Sequence, residues 1–124
     1  MNMKCKLYLM LLAAFIVLTS FVNAPKEICA CKIYVPNAFS PNEDGVNDTF
    51  QPYVDCTVSE YDFKVFNRWG HQVFESQKPD QGWNGEVKGK PAAANVYIYV
   101  LKVTYEYEGE VENEVKTGDV ALVR

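Results

Sequence analysis

Residues 95–107 read NVYIYVLKVTYEY, the longest strand-forming run beyond the N-terminal stretch of this 124-residue chain. Successive side chains of a strand point to opposite faces. Val96, Ile98 and Val100 therefore share one face, and Tyr97, Tyr99, Leu101, Val103 and Tyr105 share the other. Both faces are apolar at first, which predicts a central strand with a neighbour on each side. Downstream, Glu108-Gly109 suits a tight turn, residues 111–116 pair back, and residues 119–123 close the chain. Upstream, residues 32–35 open the domain before Pro36, and residues 49–54 hold Pro52, which confines them to an edge or a bulge. Residues 61–67 alternate until Phe66 appears on the other face; Trp69-Gly70 turns the chain and residues 72–75 return. Beyond the N-terminal stretch, apolar residues nowhere repeat at helical spacing. About seven short strands separated by Gly, Pro, Asn and Asp clusters predict an all-β, two-sheet sandwich.

The chain's first residues have a different character. Lys4 and Lys6 precede residues 7–22, in which only Thr19 and Ser20 are not apolar. A basic start, a short apolar run and small residues beyond it describe a secretory signal peptide, expected to be cleaved after Ala24. The run is shorter than the roughly 20 residues a membrane-spanning helix needs. The organisation expected is a signal-peptide helix at 1–24, a lead-in at 25–30 and one domain at 31–124. Ile28-Cys29-Ala30-Cys31 faintly suggests a lipoprotein box but lies too far past the apolar run. Cleavage leaves 10 basic against 16 acidic side chains, a charge of −6. That balance speaks against nucleic acid, which is held by Lys and Arg on phosphates.

Export makes disulfides available. Cys29, Cys31 and Cys56 remain after cleavage, an odd number. Cys29 and Cys31 cannot easily pair across one residue, so one of them reaches Cys56. Cys31, directly before the first strand, is the expected partner, with Cys29 as the alternative. Three Cys without paired spacing do not make a zinc site.

Residues 36–50 read PNAFSPNEDGVNDTF. Asn42, Asp44, Asn47 and Asp48 are four oxygen-bearing side chains around Gly45, the chemistry a hard cation such as calcium takes. The bidentate Glu of a complete calcium loop is missing, so the site would be weak, with a Kd on the order of 10⁻⁴ to 10⁻³ M. The competing reading is an Asx-rich turn whose side chains hold backbone N–H groups. Apart from calcium, no cofactor is expected.

Four segments occur in order: IYVPNAFSPNEDGVNDTFQP (33–52), YDFKVFNRWGHQVFES (61–76), WNG (83–85) and NVYIYVLKV (95–103), followed by a final GDVALVR (118–124). Together they resemble the gliding motility-associated C-terminal domain, the CHU C-terminal family, over residues 31–124. The resemblance implies an immunoglobulin-like β-sandwich that acts as a type B sorting signal for the type IX secretion system of Gram-negative gliding bacteria. It implies a protein exported through the inner membrane and then secreted or held at the cell surface. Its partners would be the secretion machinery at the outer membrane and a surface polysaccharide anchor. Where the family usually has Gly before the V-Y-x-Y strand this chain has Asn95, which also tolerates positive φ. The family domain normally follows a large cargo; here about six residues precede it, as in a minimal secreted protein or one lacking its passenger.

Other signals are weaker. Glu106, Glu108, Glu110, Glu112 and Glu114 recur at every second residue, as on the solvated face of a hairpin or a docking surface for a basic partner. Trp69 and Trp83 suit packing over the sandwich ends, or a sugar-stacking platform if both are exposed. His71 is the only imidazole, and no GxSxG or HExxH pattern accompanies it. A non-enzymatic sorting or attachment module is the favoured reading; the alternative is a small calcium-dependent adhesin or glycan-binding sandwich.

Overall fold

The 95–107 run becomes the middle strand of a five-stranded sheet. A computed structural model describes residues 31–124; the expected signal peptide (1–24) and lead-in (25–30) lie outside the described residues. These contain no helix and nine strands: β1 (Ile33–Tyr34), β2 (Ala38–Phe39), β3 (Tyr53–Val54), β4 (Val58–Phe66), β5 (Gln72–Ser76), β6 (Glu86–Val87), β7 (Lys90–Pro91), β8 (Asn95–Tyr107) and β9 (Glu110–Leu122). The large sheet has the order β2-β9-β8-β4-β5, and β1–β3 and β6–β7 form two short ribbons. All pairings are antiparallel except β2 with β9.

The core lies on one face of the large sheet. Tyr61, Phe63 and Val65 of β4, Tyr97, Leu101, Val103 and Tyr105 of β8, and Val120 and Leu122 of β9 are buried against Phe39, Phe50 and Trp83. Ile33, Val54 and Val87 of the two ribbons pack onto the same cluster, so ribbons and loops together make the second layer of the all-β sandwich. Several rings meet edge to face, Phe50 with Phe63 at 5.3 Å and with Tyr99 at 5.6 Å, and Trp83 with Tyr97 at 4.9 Å, while Phe39 and Phe50 stack at 5.8 Å. The other face of β8 is uncovered. Val96 is 50% and Ile98 43% exposed, so β8 is central with a neighbour on each side, as expected, while its second apolar face is open. Hydrogen-bonded neighbours flank β8 on each side within the sheet, but only one side of the sheet carries a second layer.

Residues expected to form two closing strands form one. β9 pairs with β8 without interruption from Tyr107↔Glu110 to Asn95↔Leu122. Gly118 does not break it, because it faces Tyr99 across the pair; a Cβ there would lie 2.8 Å from the Tyr99 hydroxyl and 3.0 Å from its ring. A Gly in a strand can mark close approach as readily as an end. Asn95 has no positive φ, contrary to the conformation expected of it: it is the first residue of β8, and its Oδ1 accepts from the Val96 N–H. The β6–β7 ribbon had no sequence expectation. It turns on Lys88 and Gly89, both at positive φ, as a two-residue hairpin requires.

Cys31 is bonded to Cys56, with Cα atoms 5.3 Å apart and a separation of 25 in sequence. The bond ties the start of the first ribbon to the link between β3 and β4. Closing a loop of that length is worth about 3 kcal/mol in the chain-entropy model.

Candidate recognition surface

The 36–50 stretch leaves β2 and forms a loop closed by the Ser40 N–H donating to the Asn47 carbonyl at 2.8 Å. Asp48 turns its carboxylate inward. Its Oδ1 accepts from the N–H groups of Asn42 (3.2 Å) and Glu43 (3.0 Å), and its Oδ2 from Gly45 (2.7 Å). Asn42 Oδ1 accepts from the Asp44 N–H, and Asp44 Oδ1 from that of Val46. Glu43, Gly45 and Asn47 all have positive φ, which brings these N–H groups round toward the carboxylate. Three of the four oxygen-bearing residues are thus engaged with the loop's own backbone, and Asn47 supplies a left-handed corner. Among the described residues no group of three or more His, Cys, Asp and Glu is arranged to hold a metal ion. Asp48→Ala should cost about 1–3 kcal/mol, since it strands three N–H groups that share one charged acceptor. Thermal unfolding of the variant measures this; an unchanged midpoint would show that the loop does not depend on Asp48.

The other family-like motifs are also turn and packing devices. In N67-R68-W69-G70, Asn67 Oδ1 accepts from the Trp69 and His71 N–H groups at 3.0 and 2.9 Å, and Gly70 takes φ +81. His71 is exposed in this hairpin. In W83-N84-G85, the Trp83 ring is buried and its Nε1–H donates to the Glu86 carbonyl at 2.9 Å, while Asn84 Oδ1 accepts from the Glu86 N–H. The two Trp therefore part company. Trp83 packs as expected, whereas Trp69 is 67% exposed with the Arg68 guanidinium 4.5 Å above its ring. Its place in a tip turn holds it off the sheet, so the two Trp rings do not form one platform for a sugar to lie on. In the final segment Val120 and Leu122 are core, and Arg124 donates to the carbonyls of Ala92 and Gly85, fastening the end of β9 to the loops around the β6–β7 ribbon.

The glutamate series does not form one stripe. The two-residue turn at Glu108-Gly109 shifts parity, so Glu110, Glu112 and Glu114 pair with Tyr107, Tyr105 and Val103 on the core-side face, while Glu106 pairs with Val111 on the open face. Burial pushes the Tyr105 hydroxyl pKa up, and the nearby charges of Glu114 and Glu112 push it further. Burial also raises Tyr97, against a smaller opposing pull from Arg124, and raises Tyr61, whose hydroxyl has no hydrogen-bond partner among the described residues.

These shifts fix a sign. A Tyr whose folded pKa exceeds its unfolded value near 10 keeps its full contribution below pH ~10 and loses it as pH climbs toward the folded value. The domain should therefore hold its stability to about pH 10 and unfold above it, with buried Tyr ionisation coinciding with loss of the fold. Tyr61→Phe, which removes the partnerless hydroxyl, should move that transition to higher pH. Spectrophotometric titration beside circular dichroism decides it; stability that rises through this range would reverse the sign.

The surface left for recognition includes the Tyr34–Tyr53 pair of the first ribbon, the Arg68–Trp69 turn, the open sheet face around Val96 and Ile98, and the β8–β9 hairpin, which extends beyond the last β4 partner at Tyr105. The model of the CHU_C type IX secretion signal domain matches residues 33–122, from the first strand to the end of the last. The chain belongs to this family. The secretion signal domain thus coincides with the whole β-fold rather than with a terminal tag. Comparison with curated proteins and with solved structures finds no match.

Proposed function

We propose that residues 31–124 work as a folded, non-enzymatic export signal. A signal peptide takes the chain across the inner membrane; the type IX machinery then recognises the β-domain at the outer membrane and delivers the protein to the medium or the cell surface. A surface polysaccharide is the proposed anchor for any retained fraction. The family match across the complete set of strands carries this reading. The exposed side chains support recognition rather than catalysis, since the one imidazole sits in a tip turn and the Tyr residues with raised pKa are buried. The 41–48 loop is proposed to serve as a self-capped turn, so that calcium at about 10⁻³ M leaves the unfolding midpoint unchanged. A calcium-dependent rise would return the loop to the cation.

The test is a periplasmic reporter with a signal peptide, fused ahead of residues 31–124 and expressed in a host with type IX secretion. Reporter activity should move to the surface or medium, and should stay periplasmic in a host lacking the secretion apparatus. A reporter retained in the periplasm with a folded domain attached would defeat the proposal.

A further inference from the structure

The edge of β9 offers a row of hydrogen-bonding groups and a charge code. β2 meets β9 only at Ala38↔Ala121 and Phe39↔Leu122. There the N–H groups of Ala121 and Val123 point away from β8 and donate to the carbonyls of Asn37 and Phe39 at 2.9 and 3.0 Å. Along a strand these groups alternate between its two sides. The same odd-numbered set therefore directs Val111, Asn113, Val115 and Thr117 off the sheet, where no strand of the described residues pairs with them. The side chains alternate as well. Val111 (67% exposed) and Val115 (59%) stand on the open face, and Glu110, Glu112 and Glu114 on the other, followed by Lys116, 3.4 Å from Glu114.

A second copy does not suit the glutamate-bearing part of this edge. Antiparallel pairing about Glu112 sets Glu112 against itself and Glu110 against Glu114, and parallel in-register pairing stacks like on like. A register shifted toward Lys116, such as one about Val115 that sets Glu114 against Lys116, relieves the repulsion but leaves Glu110 and Glu112 without a cation opposite. Opposed like charges destabilise a sheet, whereas opposite charges contribute about 0.2–1 kcal/mol per cross-strand pair. The glutamates thus discourage self-association, as edge charges do, without removing the free N–H and C=O groups. A strand carrying the opposite sign at every second residue meets no such barrier.

We propose that the β9 edge over residues 111–117 is a strand-docking site for an extended segment of another protein in which Lys or Arg alternates with apolar residues. Main-chain bonds to the odd-numbered residues supply the binding, and the glutamate row selects the charge. The proposal goes beyond the export reading and is tested without it, so either can fail alone.

The probe is a capped palindromic peptide, Thr-Lys-Val-Lys-Val-Lys-Thr, which alternates correctly in either strand direction, added to the purified protein. Amide exchange followed by NMR should slow by about tenfold or more at Val111, Asn113 and Val115, a change of at least ~1.4 kcal/mol in opening. Even-numbered amides, already bonded to β8, should not change. Glu110→Lys with Glu112→Lys, both at exposed positions, should weaken peptide binding about tenfold or more by replacing attraction with repulsion. The same peptide N-methylated throughout, with its charge intact but no N–H to donate, should not protect these amides. Equal binding of the N-methylated peptide, or protection away from β9, would overturn the proposal.

Discussion

Trp83→Ala should remove much of the domain's stability, by about 3–5 kcal/mol. The ring is 1% exposed, meets Tyr97 edge-on at 4.9 Å and lies 5.4 Å from Phe39, so the void would open where loop, β2 and β8 come together. Its indole N–H also holds the Glu86 carbonyl, and with it the start of the β6–β7 ribbon. Domains of this size are stable by about 5–15 kcal/mol. One kcal/mol moves the midpoint by roughly 4–8 °C, so a fall of about 15 °C or more is expected in thermal unfolding followed by circular dichroism. Trp69→Ala, at the exposed tip, should change the midpoint little. A loss under about 1.5 kcal/mol for Trp83→Ala would mean that the site collapses around the void and that the second layer does not depend on this ring.

The contrast between the two Trp shows where sequence reading reaches its limit. Both lie in Gly-containing turns with an Asn nearby, and local chemistry predicts the one at Trp69-Gly70 while the WNG segment of Trp83 enters through the family resemblance. What separates them is which layer each turn faces, a property of the assembled sheet. The same limit explains Val96 and Ile98. Alternation in 95–107 located the central strand, but an apolar residue on the second face cannot report whether anything covers it. The break expected between residues 116 and 119 is absent because Gly118 accommodates Tyr99, a neighbour across the sheet that is 19 positions away in sequence. The β6–β7 ribbon, with strands of two residues, is too short for any periodicity to register. The glutamate series looked like one face because the parity change at a two-residue turn is invisible until the pairing is known.

The 36–50 stretch was legible in part. Its oxygen-rich composition supports either a cation or the loop's own N–H groups, and only backbone geometry distinguishes them. Positive φ at Glu43, a residue with no special tolerance for it, has no composition signal. The carboxylate of Asp48 gathers the N–H groups that this curvature points inward. The loop, the two Trp-containing turns and the Gly118 contact all serve folding. Segments that identify the family are therefore those that shape the domain.

Deleting residues 118–124 should abolish both the fold and export of an attached reporter. The cut removes Val120 and Leu122 from the core, each worth about 1.5–3 kcal/mol when fully buried. It also strips β8 of its β9 partners from Asn95 to Tyr99, takes away the only two pairing positions of β2, and releases the Arg124 guanidinium from the Ala92 and Gly85 carbonyls. Together these losses match or exceed the whole stability of a domain this small. Arg124→Ala keeps the strand and loses only the clamp, so it should fold with a lower midpoint and still be exported. The pair separates two ideas of the signal. If the folded sheet is what is recognised, export follows circular dichroism, and Arg124→Ala passes while the truncation fails. If the last residues act as a linear tag, a fusion of residues 118–124 alone would carry the reporter across the outer membrane. Such export would overturn the folded-signal account, because a lone strand of seven residues has no sheet to join and no core to fill.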